Sequence, residues 1–427
     1  MPRAGQTTPE SPTRLSDLVS IGVLTRVFPP ELVDEVIAAT GKTEQRHRAL
    51  PARVTAYFTI AMALNPQGSY ADVLDQLTDG LSWASGWKDT YQPPSPAAVV
   101  QARQRLGSAP LRLLFDRVAG PVAEPDTPGA FVASRRVMSI DGTCLDVPDT
   151  GDNDEHFSRP GTSRGGASAF PQARLVAMAE CATHSLCGVQ IGPYTTAEAT
   201  LVRPLVDNLG EGMLVTADRG FFSYRLWREA TATGADLLFR LRTDASAPVP
   251  EHLRDLPDGS WIATMKGKSN TERNADDPFT VRVIDYHLDT DVTDPADPAD
   301  PVASADSVDG DEHSGQVYRL ITTILDPDIA SAEQLAETYT MRWEIESAFD
   351  ELKTHQRGPK AVLRSKSPTL VYQEIYGMLC LHLAIRRLMG RAATESGTDP
   401  RRLSFTAALR ITRNTRITSE HPGSFSP

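Results

Sequence analysis

Cysteine is scarce: four of 427 residues (Cys144, Cys181, Cys187, Cys380), too few and too scattered for a disulfide framework. That fits a reducing compartment. Long apolar runs are missing too. No stretch approaches the roughly 18 uninterrupted apolar residues of a membrane span, and the polar first dozen residues lack the apolar run of a secretory signal. Nor is there a P-loop, GxGxxG or GxSxG motif, which leaves nucleotide hydrolysis and serine-hydrolase chemistry without support. Net positive charge is also lacking, the chain carrying −12. Ten of those negative charges sit in residues 285–312, leaving −2 over the other 399 residues. Residues 386–416 hold eight arginines against Glu395 and Asp399. A basic surface is therefore available, and overall acidity does not exclude a nucleic-acid partner.

With 40% hydrophobic residues over 427 positions, the chain can build a substantial core and is long enough for two or three domains. Residues 1–13 read as a disordered tail, and 14–130 as a helical domain of amphipathic segments closed by a Pro-rich linker at 121–129. From Arg136 the character changes. Strands are expected at 137–147, in a hairpin over 175–181 and 186–191, and at 213–216 and 235–241. Helices are expected at 196–209 and 223–233. This order predicts an α/β or α+β core with a mixed sheet over 131–242 and 331–392. Between its two parts, 243–330 reads as a β-rich insertion interrupted by the acidic, Pro-broken loop 285–312. Helical periodicity returns at 331–357 and 368–391, and 393–427 forms a basic C-terminal segment.

Three carboxylates stand out. Asp141 closes the apolar strand Val137-Met-Ser-Ile140 and Asp218 follows Met213-Leu-Val-Thr-Ala217, positions at which a sheet rim could present a metal ion. Each alone is more often a simple strand-end turn residue. The third, Glu346, shares a helix face with Tyr339, Arg342 and Lys353. At about 100° per residue all four fall within an arc of roughly 60°. A solvated salt-bridge stripe accounts for that face equally well. Glu344 and Glu351 point elsewhere on the same wheel. Three such carboxylates suit a pair of Mg²⁺ ions, which take oxygen ligands and keep water sites open for phosphate.

The spacing Tyr339-x2-Arg342-x3-Glu346-x6-Lys353, with Ser139-Ile-Asp141-Gly-Thr and Ala217-Asp218-Arg-Gly-Phe upstream, resembles bacterial DDE transposases of the insertion-sequence 4 family. The resemblance runs over roughly residues 14–416. It implies a ribonuclease H-like core, with Asp141, Asp218 and Glu346 as the catalytic, metal-binding triad for two Mg²⁺ (or Mn²⁺). It further implies Mg²⁺-dependent cleavage and strand transfer at the ends of the chain's own element. Tyr339, Arg342 and Lys353 would contact DNA, and Trp343 would stack on a distorted base or lie in the core. The implied partners are double-stranded DNA, at element ends and target, and a second copy in a homodimeric synapse, in the bacterial cytosol or nucleoid and away from membranes. The helical domain would take part in binding DNA ends. Family members often continue past the point where this sequence stops at Pro427, so a shortened, inactive DNA-binding relic or inhibitor is the alternative reading.

Two weaker constellations remain. Cys181-x2-His184-x2-Cys187 has the spacing of a zinc half-site without a second half. Lys42, Arg46, His47, Arg48 and Arg53 form a basic patch able to contact phosphates or simply to face solvent.

Overall fold

The computed structural model describes residues 22–46, 50–85, 94–161, 166–243, 247–267, 278–287, 317–358 and 362–414. The expected N-terminal tail, most of the acidic loop, and the C-terminus beyond residue 414 lie outside them. Ten strands run through the described residues in chain order: β1 (Phe131–Val132), β2 (Arg135–Asp146), β3 (Gln172–Glu180), β4 (Ser185–Pro193), β5 (Met213–Ala217), β6 (Asp236–Leu241), β7 (Glu251–Asp255), β8 (Trp261–Met265), β9 (Phe279–His287) and β10 (Val317–Thr322). The fold class is the expected one: α/β, with a large mixed sheet and a helical N-terminal region. The chain divides into two units, which exchange the polypeptide within β2 and again between Trp343 and Glu344.

The first unit comprises Met1–Ala130, Gly142–Leu201 and Glu344–Pro427. The N-terminal helices do not keep a core of their own. Their apolar faces join one cluster with the β3–β4 hairpin and the long helix Pro368–Ser396. The helix Ala52–Leu64 is buried at every position from Val54 to Leu64, as a helix hydrophobic all round must be. Its neighbour Pro368–Ser396 approaches so closely at Gly377 that a Cβ there would lie 2.8 Å from the Thr59 carbonyl oxygen, so only glycine fits. Fully buried Arg103 ties the same region together through Gln373 Oε1 (2.8 Å), Tyr70 Oη (3.1 Å) and Ser365 Oγ (3.0 Å).

The second unit comprises Phe131–Asp141 and Val202–Trp343. Its strands follow the order β2-β5-β6-β10-β9-β8-β7, parallel from β2 to β6 and antiparallel beyond. The expected β-rich insertion is the antiparallel half. The helix Ala332–Thr340, capped by Ser331, packs Leu335 and Tyr339 on Leu214, Leu238, Ile284 and Leu320 of that sheet. Its start is fixed by buried Arg282. This residue pairs with Asp258 and donates to the Ala330 carbonyl at 2.7 Å, while Asp258 accepts from the Ala332 amide at 2.7 Å.

Two expected elements differ and one strand is new. The helix over 196–209 becomes a short α-turn, Glu198–Leu201, and a 3₁₀ segment, Arg203–Asn208, because Pro204 has no N–H to continue an α-helix. The single helix over 331–357 is four pieces: α (Ala332–Thr340), 3₁₀ (Met341–Trp343), α (Glu344–Asp350) and π (Glu351–Gln356). A wheel at constant pitch therefore does not describe it. Strand β7 was not expected. It is exposed throughout, so hydrogen bonding to β8, and no apolar alternation, defines it.

Candidate active site

Parallel pairing of β2 with β5 sets Ile140 opposite Ala217. Asp141 is the next residue of β2 and Asp218 the first residue after β5, so the register brings the two to neighbouring backbone positions. The Gly220 amide donates to Asp218 Oδ1 at 2.9 Å, holding the carboxylate in the turn after β5. A side chain at Gly220 would sit 3.2 Å from that oxygen, which accounts for glycine there.

Arg342, buried in the 3₁₀ segment, donates from Nη1 to Asp141 Oδ2 at 3.2 Å, and its backbone carbonyl accepts from buried Ser139 Oγ at 3.3 Å. Its guanidinium lies 4.6 Å from the ring centroid of half-buried Trp343. Tyr339 is buried and its hydroxyl donates to the Ala217 carbonyl at 3.4 Å, the residue before Asp218. Burial pushes the Tyr339 phenol well above its ordinary range, so it stays protonated and remains a donor. Asp141, Asp218, Tyr339, Arg342 and Trp343 therefore form one cluster within the second unit.

Glu346 and Lys353 belong to the first unit. Glu346 is half-buried and borders a cleft of about 520 Å³ lined also by Asp350, His355, Ser404 and Thr406. Lys353 is exposed, with Nζ 3.1 Å from Thr143 Oγ1 on β2. Glu198 is a carboxylate that sequence reasoning passed over. A Cβ on Gly142, the residue after Asp141, would lie 2.6 Å from Glu198 Oε1. Only the small residue type at position 142 hinted at this close approach.

Among the described residues no three His, Cys, Asp or Glu side chains are gathered as a metal cage. The donor chemistry nonetheless fits a hard divalent cation: Asp141 and Asp218 offer carboxylate oxygens just past the Ile140–Ala217 pairing, and Asp141 is paired with an arginine. The Cys181-x2-His184-x2-Cys187 spacing makes no zinc site there. Both cysteines are buried and His184 is occupied by carboxylates. In the basic patch, Arg53 is engaged by Asp34, and Lys42 and Arg46 line a cleft of about 390 Å³ with Arg105, while residues 47–49 are not described.

The family model described as transposase DDE domain matches residues 133–384, and the one described as insertion element 4 transposase N-terminal matches residues 18–116. The chain belongs to the insertion-sequence 4 family of DDE transposases. It is 27% identical over 377 residues to transposase InsG for insertion sequence element IS4 of Escherichia coli (strain K12), covering 88% of this chain and 78% of that protein. A solved piggyBac transposase synaptic complex with hairpin DNA aligns over 93% of this chain and 79% of that one, with 12% identity and a TM-score of 0.42. At that score it carries no argument. No helix of the described residues is long and apolar enough to cross a membrane.

Proposed function

We propose that this transposase cuts and rejoins double-stranded DNA at the ends of its own insertion element, using Mg²⁺ held by Asp141, Asp218 and Glu346. The observation that carries the reading is the register Ile140↔Ala217 between parallel β2 and β5, a pair of residues each followed directly by one of the two aspartates, Asp141 and Asp218. When bound, a pair of divalent ions would supply a nucleophile at neutral pH and charge stabilisation at the leaving oxygen.

The chain's own residues prepare that site. Gly220 orients Asp218 through its amide, and Arg342 holds Asp141 in place through an ion pair. Tyr339 fixes the strand end before Asp218 from beneath. Being buried, Tyr339 and Arg342 act on the site from inside the unit, while exposed Lys353 is the member of the signature best placed to meet a DNA phosphate. A homodimeric synapse that brings two element ends together completes the proposal.

The test is incubation of the purified chain with a duplex carrying the terminal repeats that flank its gene. Cleavage at the element boundary and strand transfer, both dependent on Mg²⁺ and abolished by chelation, are the expected products. End binding without cleavage in any divalent ion would favour the DNA-binding relic instead.

A further inference from the structure

Glu351, the first residue of the π-helical turn, is a buried carboxylate outside the family signature. Arg386 donates to it from Nε at 2.8 Å and pairs with it through Nη2, and His382 Nε2 approaches it at 2.9 Å. The same Arg386 Nη2 lies 2.6 Å from His184 Nδ1, at the tip of the β3–β4 hairpin. Glu351 Oε1 also lies 3.0 Å from Nδ1. An arginine N–H can only donate, so with Arg386, the nearer group, as the partner of Nδ1 the neutral ring carries its hydrogen on Nε2. That N–H points at Glu344 Oε2, 2.7 Å away. Burial lowers the His184 pKa, which fits a neutral ring.

A closed circuit results. Glu344 is held by His184, His184 by Arg386, and Arg386 by Glu351. All four residues lie in the first unit, and the segment they bracket, 344–351, contains Glu346 two residues from one end and five from the other. Glu344 and Glu351 both reach this circuit, and Glu346 borders an open cleft that Glu351 also lines. At Glu351 the helix changes from α to π, and insertions of this kind concentrate at functional sites. Stability alone does not call for such a circuit. An ion pair and two histidines in an apolar core are often matched or bettered by packed hydrophobic residues. Fixed geometry is what the circuit supplies.

We propose that His184 is a positioning residue for Glu346, its ring joining Glu344 to the Arg386–Glu351 pair so that the segment carrying Glu346 is held at both ends. The inference rests on the reading of Glu346 as a metal ligand.

The experiment measures single-turnover cleavage of element-end DNA against Mg²⁺ concentration for wild type, His184→Leu, His184→Gln and Glu346→Gln, with metal-free end binding in parallel. His184→Leu removes every polar contact of the ring, to Glu344, Arg386 and Glu351. It should raise the Mg²⁺ needed for half-maximal cleavage, or lower the cleavage rate, on the order of 10-fold or more, as loss of an orienting partner typically does. End binding should stay within about twofold, because no phosphate contact is lost. His184→Gln keeps an acceptor and a donor and should recover most of the loss. It carries the same left-handed backbone (φ +54°) as His184→Leu, so the two compare like with like. Wild-type Mg²⁺ dependence and rate in His184→Leu, beside an inactive Glu346→Gln, would overturn the positioning role. Wild-type cleavage by Glu346→Gln would instead remove the metal-ligand reading, and this inference with it. Should His184→Leu fail to fold, Glu344→Ala cuts the circuit at its half-exposed end. The same shift in Mg²⁺ dependence supports the role, and an unchanged profile refutes it.

Discussion

Arg342 and Asp141 form a largely buried ion pair, guanidinium Nη1 to carboxylate Oδ2 at 3.2 Å, on the rim where β2 and β5 run in parallel. Without a cation, the arginine is the counter-charge beside Asp141 in a poorly solvated position. A bound Mg²⁺ would take over part of that task.

Arg342→Ala should therefore destabilise the metal-free protein by about 2 kcal/mol, less than the loss for a fully buried pair because Asp141 keeps some solvent contact. Millimolar Mg²⁺ should restore part of the loss, since the cation substitutes for the missing charge. Chemical denaturation of both proteins with and without Mg²⁺ measures this. Equal destabilisation in both conditions would mean that the cation does not reach Asp141.

Arg103 holds the helices of the first unit by donating to neutral acceptors on three separate stretches of chain. Arg103→Met would leave Gln373 Oε1 and the Leu370 carbonyl short of a donor in a dry interior. A loss of about 3 kcal/mol or more is expected, from charged hydrogen bonds removed together. Urea unfolding should show it, with the residual native state still able to bind DNA.

His382 is fully buried, and burial, aided by nearby His184, lowers its pKa to about 3. Glu351 and Arg386 are its other charged neighbours. A histidine whose folded pKa is depressed contributes stability that is present above its unfolded pKa of about 6.5 and is lost as pH falls below it. Between pH 7 and pH 5 this one group should cost about 2 kcal/mol. His382→Gln should flatten that part of the stability profile, whatever its effect at pH 7.

Much of this was legible in the sequence because periodicity and strand-end chemistry are local. The strands expected at 213–216 and 235–241 emerged within one residue of those bounds, and Asp141 and Asp218 were singled out by the apolar runs that precede them. Pairing is non-local, so exposed β7 could not be read in advance. The wheel placed Glu344 and Glu351 together, away from Glu346. Nothing local marked that face as core, since its partners lie on a distant hairpin and helix. The π turn, which begins at Glu351, was invisible for the same reason: the partners of that residue lie far along the chain.

The central claim, that Asp141 and Asp218 hold the metal that makes this chain an active DNA transposase, is tested most directly by cleavage of element-end duplex in Mg²⁺ by wild type and Asp218→Asn at equal DNA occupancy. The substitution keeps shape and the hydrogen bond from Gly220 but removes the charge. The account predicts boundary cleavage by wild type, none by Asp218→Asn, and closely similar end binding by both. Equal cleavage by the two proteins would contradict it.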